Sequence, residues 1–323
     1  MTFVGWGGAF QDAHRASFME PFATETGATV QEEAPTDYAK LRAQVDAGRV
    51  LWDVVNVEPH IAVQGCEEGW LEPIDYESME GQYGFAMDDI LPQFVGECGV
   101  PDVFYAYQIA YNTGAYSDSN HPTTWKEFFD VKKFPGKRGA YQNASGGLLE
   151  AALLADGVKK EDLYPLDLDR AFQKLDTIRD ELVFFRSGDE QLQLLSSGET
   201  PLTIGWNGRI QAGQAEGLPV AGEWNQHFQR YTQLVIPKGS KNVELAHAFL
   251  AHALSPKPQA EMTNHIAYAP VSIKAAGNVN EKMKPYLPSD PDVQKLGLAL
   301  DFTYYAENYA SVTERLNEWL LQG

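Results

Sequence analysis

Short apolar runs alternate with amphipathic stretches over roughly the first sixty residues of the chain. The apolar runs predict strands at residues 2–5, 28–31 and 52–57, because each is short and bounded by turn-forming residues. Helices are predicted between them at residues 12–26 and 38–47, and each is followed at once by a glycine. This β-α-β-α-β order is typical of a largely parallel sheet covered by helices.

The same alternation returns in the second half of the chain. The elements predicted there are strands at residues 139–142, 182–185 and 203–206, helices at residues 146–155 and 168–180, and a helix that a capping box at residues 187–190 opens and that runs through Leu195. Two α/β units separated by residues 105–112 predict two lobes, with a ligand cleft between the carboxyl ends of their strands. Because the chain has no linker rich in proline, glycine or serine, we expect the lobes to exchange strands.

Length and charge narrow the class of protein. The 323 residues exceed what one hydrophobic core usually supports, which also favours two lobes. The net charge of -20 repels nucleic acid and anionic lipid, so nucleic-acid binding is excluded and the acidic surface is interpreted as a solvated one. No stretch approaches the ~20 apolar residues of a membrane span, and the sequence predicts that a signal peptide was removed or never existed.

The two cysteines, Cys66 and Cys98, are too few for a disulfide scaffold or for a metal site made of cysteines alone. Each has a glycine neighbour, which is typical of a loop in which a bridge can close. From the residues alone, a disulfide and two free thiols both remain open.

Catalytic motifs are absent from the sequence. It contains no G-x-S-x-G elbow, no P-loop and no H-E-x-x-H, and Gly5-Trp6-Gly7-Gly8 fails the dinucleotide spacing because position 10 is Phe. Of the seven histidines, only His247 and His252, which lie five apart on one helix, have metal-ligand spacing, and solvated or core histidines explain them better than a metal site. We therefore expect no catalytic residue, metal or cofactor. Trp6 could face a ligand or fill the core.

Several segments of the chain resemble the bacterial spermidine/putrescine-binding branch of periplasmic solute-binding proteins, and their order and spacing match over essentially the whole length. The segments are Gly5-Trp6-Gly7-Gly8-Ala9-Phe10, Leu51-Trp52-Asp53-Val54-Val55, Cys66-Glu67-Glu68-Gly69, Glu97-Cys98-Gly99-Val100, Ala110-Tyr111-Asn112, Phe134-Pro135-Gly136-Lys137-Arg138, Trp206-Asn207-Gly208-Arg209, Tyr268-Ala269-Pro270 and Tyr304-Tyr305-Ala306-Glu307-Asn308.

The resemblance implies an α/β, two-lobed periplasmic-binding-protein fold of type II, with discontinuous lobes and crossover strands. Lobe 1 would contain residues 1–111 and 233–276, and lobe 2 residues 112–232 and 277–323. It also implies that Cys66 and Cys98 pair and that the protein is periplasmic or lipid-anchored outside the cytoplasm. The expected partners are a small-molecule ligand and an ABC permease in the inner membrane, and the expected state is a monomer.

The resemblance further places ligand-sandwiching aromatic side chains at Trp6, Trp206, Tyr268 and one of Tyr304 or Tyr305, of which Tyr305 is our choice. Aromatic faces of this kind suit an alkyl chain or an ammonium group. Tyr105 is a further candidate at the cleft-facing end of the strand before the crossover.

The departures from the family pattern concern the charge of the ligand. Acidic residues that hold amino groups in polyamine binders are replaced here by Asn143-Ala144-Ser145-Gly146-Gly147. The family's Ser and Tyr after the third strand align with Val57 and Pro59. An aromatic residue on the second crossover strand is replaced by Arg230. With Arg209 nearby and a helix predicted to open at Ser145, one end of the cleft favours an anion. Glu58 could receive an amine.

The resemblance implies an extracytoplasmic solute-binding component of an ABC importer. A carboxylate or an ω-amino acid is the favoured ligand, and a polyamine is the alternative within the same fold. Arg209 and Arg230 could instead pair with surface carboxylates such as Glu223. A ligand-sensing module or an enzyme on the same fold are the alternatives of another class.

Overall fold

A computed structural model describes residues 1–322. Its strands are β1 Thr2–Val4, β2 Gln31–Glu33, β3 Val54–Val57, β4 Gly99–Asn112, β5 Arg138–Tyr141, β6 Leu182–Phe185, β7 Leu202–Trp206, β8 Val220–Val235, β9 Ala269–Pro270 and β10 Leu298–Ala299. Its α-helices are α1 Gly8–His14, α2 Glu20–Thr26, α3 Tyr38–Asp46, α4 Pro59–Glu67, α5 Tyr76–Met79, α6 Trp125–Phe128, α7 Leu148–Ala155, α8 Leu168–Asp176, α9 Gly188–Ser197, α10 Asn207–Ala215, α11 Val243–Leu254, α12 Pro256–His265, α13 Pro291–Gln294 and α14 Phe302–Leu321.

The chain forms two compact units, each made of two stretches of sequence. Unit 1 contains Met1–Tyr105 and Tyr231–Leu287, and unit 2 contains Ala106–Arg230 and the residues from Pro288 onward. The chain therefore passes from one unit to the other inside β4, inside β8 and after Leu287. Discontinuous α/β units joined through two long strands confirm the predicted fold class.

In unit 1, β1 lies in parallel between β2 and β3, and β3 pairs antiparallel with the end of β8. All four residues of β3 are buried, as expected for a β-branched central strand. The hydrophobic core beside it includes Val4, Leu41, Trp52 and Val235. Helices α1 and α2 continue into each other through a π-helical turn at Arg15–Met19.

The Cys66–Cys98 disulfide connects α4 to the residue just before β4, and Cys98 is buried within the same core. This confirms the pairing that the family resemblance implied. The bridge closes a loop with a sequence separation of 32 residues, and a loop of this size is expected to stabilise the fold by about 3–4 kcal/mol in the chain-entropy model.

In unit 2, β5 lies in parallel between β6 and β7, and β7 pairs antiparallel with the second half of β4. Strand β10 adds in parallel to the first part of β8. The predicted serine cap is present, because the Ser187 hydroxyl accepts the backbone N–H of Glu190 at the start of α9, whereas the Glu190 side chain accepts the N–H of Arg186 and not that of Ser187. Within residues 1–322, no helix combines the length and the apolar character that a membrane span needs.

Candidate functional site

Trp6 lies in the short turn between β1 and α1 in unit 1. Gly7 takes a left-handed φ of 77° there, a conformation that favours glycine and lets the chain turn directly into the helix. The indole Nε1 of Trp6 donates to Oδ1 of Asn56 over 2.8 Å, and its ring meets the ring of Tyr38 edge-on at 5.9 Å. The half-buried indole is therefore fixed in orientation by one hydrogen bond and one ring contact.

Hydrogen bonds with other buried polar side chains hold Asn56 in place. Its Nδ2 donates to Oδ2 of Asp102 over 2.5 Å, and the same oxygen accepts the hydroxyl of Thr232 and lies 2.9 Å from Nε2 of His14. All four side chains are buried. Because a buried carboxylate is costly unless it is hydrogen-bonded, these donors hold Asp102 and, through Asn56, the Trp6 indole in place. No local pattern in the sequence predicts this network.

Glu58 follows β3 and precedes α4, and it is 8% exposed. Its Oε1 accepts the phenol of Tyr105 over 2.7 Å, and its backbone N–H donates to the phenol oxygen of Tyr38. Burial, together with the charge of Glu58, raises the pKa of Tyr231 to about 12, so this phenol stays protonated at neutral pH. A buried carboxylate with tyrosines around it favours an organic cation.

Tyr268, directly before β9, completes the aromatic part of unit 1. Its ring lies 5.4 Å from the ring of Tyr105 and meets Phe10 edge-on at 5.0 Å. Of the residues predicted to bind ligand, Glu58, Tyr105 and Tyr268 thus form one chain of contacts in unit 1, and Trp6 approaches Glu58 through Tyr38, which contacts both. The prediction missed Tyr38 and Tyr231.

Trp206 is the last residue of β7 in unit 2 and the residue that precedes α10. Its half-buried ring meets Tyr107 edge-on at 5.3 Å and Tyr141 at 5.1 Å, and it lies 5.6 Å from Phe185. Tyr107, Tyr141 and Phe185 belong to β4, β5 and β6, and the pairing of these strands places their rings beside the ring of Trp206. Trp206 was predicted from the sequence as a site residue, but its ring neighbours Tyr107 and Tyr141 were not.

Arg209 lies in the first turn of α10 and is 5% exposed. Its Nη1 lies 3.3 Å from Oδ1 of Asp189, whose side chain is 69% exposed. The surface carboxylate considered from the sequence, Glu223, is engaged differently: its Oε2 lies 3.1 Å from Nε2 of His121, and its Oε1 accepts the N–H of Asn225. A buried guanidinium presents a planar fork of donors that suits a carboxylate.

Arg230 in β8 is 1% exposed. Its guanidinium lies 4.6 Å from the centre of the Tyr107 ring and 5.5 Å from that of Phe302, and Nη1 donates to the carbonyl of Ser145. Stacking on aromatic faces orients the planar donor fork of an arginine without neutralising its charge.

The helix predicted to open at Ser145 begins later, at Leu148. Asn143 Oδ1 accepts both the N–H and the hydroxyl of Ser145, and Gly147 takes a left-handed φ of 82°, which stops the helix from extending backward. The predicted helix start was therefore wrong. The binding role of Ser145 stays a prediction, with both of its donors directed to Asn143.

Tyr305 in α14 is fully buried, whereas Tyr304 is half-buried against Tyr164. The phenol of Tyr305 donates to Oε1 of Glu150 over 2.7 Å, and Tyr164 donates to the same oxygen. Burial raises the pKa of Glu150 and of both phenols. Tyr305 therefore belongs to a buried cluster, and its predicted contact with ligand stays a prediction.

Among residues 1–322, no group of three or more histidine, cysteine, aspartate or glutamate side chains is arranged to hold a metal ion. His247 accepts the N–H of Asp75 at Nε2, and its Nδ1 lies 3.0 Å from the carbonyl of Val243. His247 is therefore engaged with Asp75 and Val243 and does not form a metal-binding group with His252.

The fold and these aromatic and charged sets define a solute-binding protein. Residues 17–291 match the model of the family described as bacterial extracellular solute-binding protein, and the chain belongs to this family. Its members bind small molecules outside the cytoplasm and deliver them to an ABC permease, which confirms the predicted recognition, general function and extracytoplasmic location.

Two relatives and one solved structure are similar to this chain over most of their length. The chain is 32% identical to the gamma-aminobutyric acid-binding protein of Pseudomonas aeruginosa, over 99% of this chain and 90% of that protein. It is 22% identical to the putrescine-binding periplasmic protein SpuD of the same species, over 86% and 82% of the two chains. A structure described as the Atu4243-GABA receptor is 39% identical, with a TM-score of 0.89 over 99% of this chain and 97% of that one.

Proposed function

We propose that this protein captures an ω-amino acid, with 4-aminobutyrate as the first candidate, for an ABC importer. The observation that carries the proposal is that each unit has buried side chains of one sign of charge among aromatic rings, and that the sign differs between the units. Glu58 supplies a carboxylate among tyrosines in unit 1, and Arg209 and Arg230 supply guanidinium groups in unit 2. A zwitterion with its charges at opposite ends complements both sets.

The aromatic side chains suit the part of such a ligand that lies between its charges. Trp6 and Trp206 each present a half-buried indole held by ring contacts. A short methylene chain against flat aromatic faces is removed from water at about 0.8 kcal/mol per CH₂. This supports a ligand with a short alkyl segment and does not by itself fix its length.

A polyamine is the second candidate, and the charges weigh against it. Putrescine would meet Glu58 with one ammonium group and the arginines with the other. Like charges brought together in a site of low solvation cost several kcal/mol. The similarity to both a gamma-aminobutyric acid-binding and a putrescine-binding relative leaves these two ligand classes as the ones to compare directly.

We further propose that the protein is a monomer that releases its ligand unchanged and is not an enzyme. Arginine and tryptophan bind but do not transfer protons at neutral pH, and Glu58 is engaged by the phenol of Tyr105. Incubation with 4-aminobutyrate is expected to return the same compound by mass spectrometry, and a new product would contradict this part of the proposal.

Replacing Glu58 with glutamine tests the amino end of the ligand. A charge-assisted hydrogen bond contributes about 1.5–3 kcal/mol, so Glu58→Gln is expected to weaken 4-aminobutyrate by about tenfold or more. Butyrate, which lacks the amino group, is expected to bind the variant and the parent protein alike. Calorimetric titration of both ligands measures the difference.

The exposed Glu67 provides a matched control, because Glu67→Gln removes the same charge from a solvated position on α4, the helix that Glu58 precedes. It is expected to leave both affinities unchanged. If Glu58→Gln weakened butyrate as much as 4-aminobutyrate, the carboxylate would not be the group that receives the amine.

A further inference from the structure

A groove on the surface of unit 1 lies outside the residues assigned to the ω-amino acid. It is formed by the π-helical turn, α2, the segment at Tyr83 and the junction of α11 with α12, and it has a volume of about 560 Å³. We call it the α2–α12 groove. Its volume lies within the range of small-molecule pockets.

Two residues that line this groove each carry a buried polar atom with no hydrogen-bond partner within the part of the chain that the structure describes. The two atoms are Oγ of Ser17, a residue that is 1% exposed, and Nε2 of His252, which is 5% exposed. An unsatisfied buried polar group costs about 1–3 kcal/mol, so native proteins seldom keep two together without a reason. A ligand that donates hydrogen bonds would satisfy both.

The backbone of the groove carries two unusual conformations. Ser17 lies inside the π-helical turn at Arg15–Met19, a feature that is rare and often marks functional sites. Tyr83 has a left-handed φ of 52°, which is uncommon for a residue other than glycine. Its ring meets the ring of His252 edge-on at 5.4 Å. Both conformations bring side chains toward the same groove.

The charged side chains that line the groove favour a hydrogen-bond donor that is a cation. Three exposed carboxylates, Glu20, Glu25 and Glu261, line it together with one cation, Lys257. Burial lowers the pKa of His252, which keeps its ring neutral. Nδ1 of this ring lies 3.9 Å from Oε2 of Glu25, and in the tautomer that carries the proton on Nδ1 the Nε2 atom is an acceptor.

We infer that the α2–α12 groove is a second ligand site, which takes a primary ammonium group on a short alkyl chain. Ser17 Oγ and His252 Nε2 accept its hydrogen bonds, Glu25 and Glu261 supply the opposite charge, and the ring of Tyr83 covers the alkyl chain. A free amine and a lysine side chain of another protein share this chemistry. The site shares no residue with the set proposed for the ω-amino acid.

The test is a titration with n-butylammonium, followed by NMR of protein labelled with ¹³C at the histidine rings. The His252 signal is assigned with the variant His252→Gln. We expect a saturable shift of this signal that uncharged n-butanol does not produce. No saturable shift, or an equal response to uncharged n-butanol, would overturn the inference, and neither result depends on whether 4-aminobutyrate binds.

Variants separate the acceptors from a general effect of surface charge. Glu25→Gln combined with Glu261→Gln is expected to weaken n-butylammonium at least tenfold, and Ser17→Ala by about two- to tenfold. Glu244→Gln, which removes an exposed carboxylate from the first turn of α11, is the matched control and is expected to change nothing. Equal effects of Glu244→Gln and the double variant would overturn the inference.

A lysine derivative distinguishes the two sources of the ammonium group. Nα-acetyl-lysine methylamide is titrated in the same way. Binding tighter than that of n-butylammonium supports a lysine side chain of a protein partner as the occupant, and binding of n-butylammonium alone supports a free amine.

Discussion

Replacing Arg209 with alanine is expected to weaken 4-aminobutyrate binding at least tenfold. The variant removes a nearly buried guanidinium, and each charge-assisted hydrogen bond to a carboxylate contributes about 1.5–3 kcal/mol. The ion pair with the exposed Asp189 contributes only about 0–1 kcal/mol, so its loss by itself is expected to change the melting temperature little. Isothermal titration calorimetry and a thermal melt measure the two effects.

Arg186 provides the matched control for this prediction. It is an exposed arginine of unit 2 whose Nε donates to Gln142, and Arg186→Ala removes the same charge and the same bulk. Affinity for 4-aminobutyrate is expected to remain at the parent value. An Arg209→Ala protein that binds as tightly as this control would remove Arg209 from the site.

Replacing Trp206 with alanine is expected to cost a few kcal/mol of binding free energy. Loss of a buried aromatic contact of this size typically removes about 2–4 kcal/mol, or roughly thirty- to a thousandfold in affinity. Trp206→Phe keeps a flat ring against Tyr107 and Tyr141 and is expected to retain most of the affinity. Calorimetry on both variants measures the difference.

Trp224 is a half-buried tryptophan of the same unit, whose ring packs edge-on against His227. Trp224→Ala therefore controls for the loss of an indole outside the proposed site, and its affinity is expected to stay within about twofold of the parent. Unchanged affinity in Trp206→Ala would contradict the role of Trp206.

The parts of the fold that follow from local pattern were predicted well from the sequence. Strand β3 and helix α3 lie within a few residues of their predicted positions, because apolar periodicity and a capping aspartate at Asp37 define them locally. The strand predicted at residues 28–31 instead runs from Gln31 to Glu33. It pairs with β1 only, and its polar residues give no apolar signal because an edge strand need not be buried.

Three of the candidate site residues were predicted to lie at the ends of strands, and the structure places them there, while their contact with ligand stays a prediction. Trp6, Glu58 and Trp206 each directly follow or end a predicted strand, a position that the sequence reveals. The support of Trp6 could not be predicted, because Asn56 lies 50 residues from Trp6 and 176 residues from Thr232 in the chain. Such contacts arise only when strands of distant sequence pair.

The start of α7 shows a different limit. A serine followed by two glycines predicts a helix N-terminus at Ser145, but the competing hydrogen bonds to Asn143 hold this serine in a turn. Local signals for a cap and for a turn use the same residue types, so the sequence cannot separate them.

Calorimetric titration of the purified protein with 4-aminobutyrate, putrescine, spermidine and short dicarboxylates tests the central claim most directly. Opposite charges on Glu58 and on the pair Arg209 and Arg230 predict that 4-aminobutyrate binds more tightly than either polyamine. Tight binding of spermidine, with no response to 4-aminobutyrate or the dicarboxylates, would contradict the assignment of the ligand class.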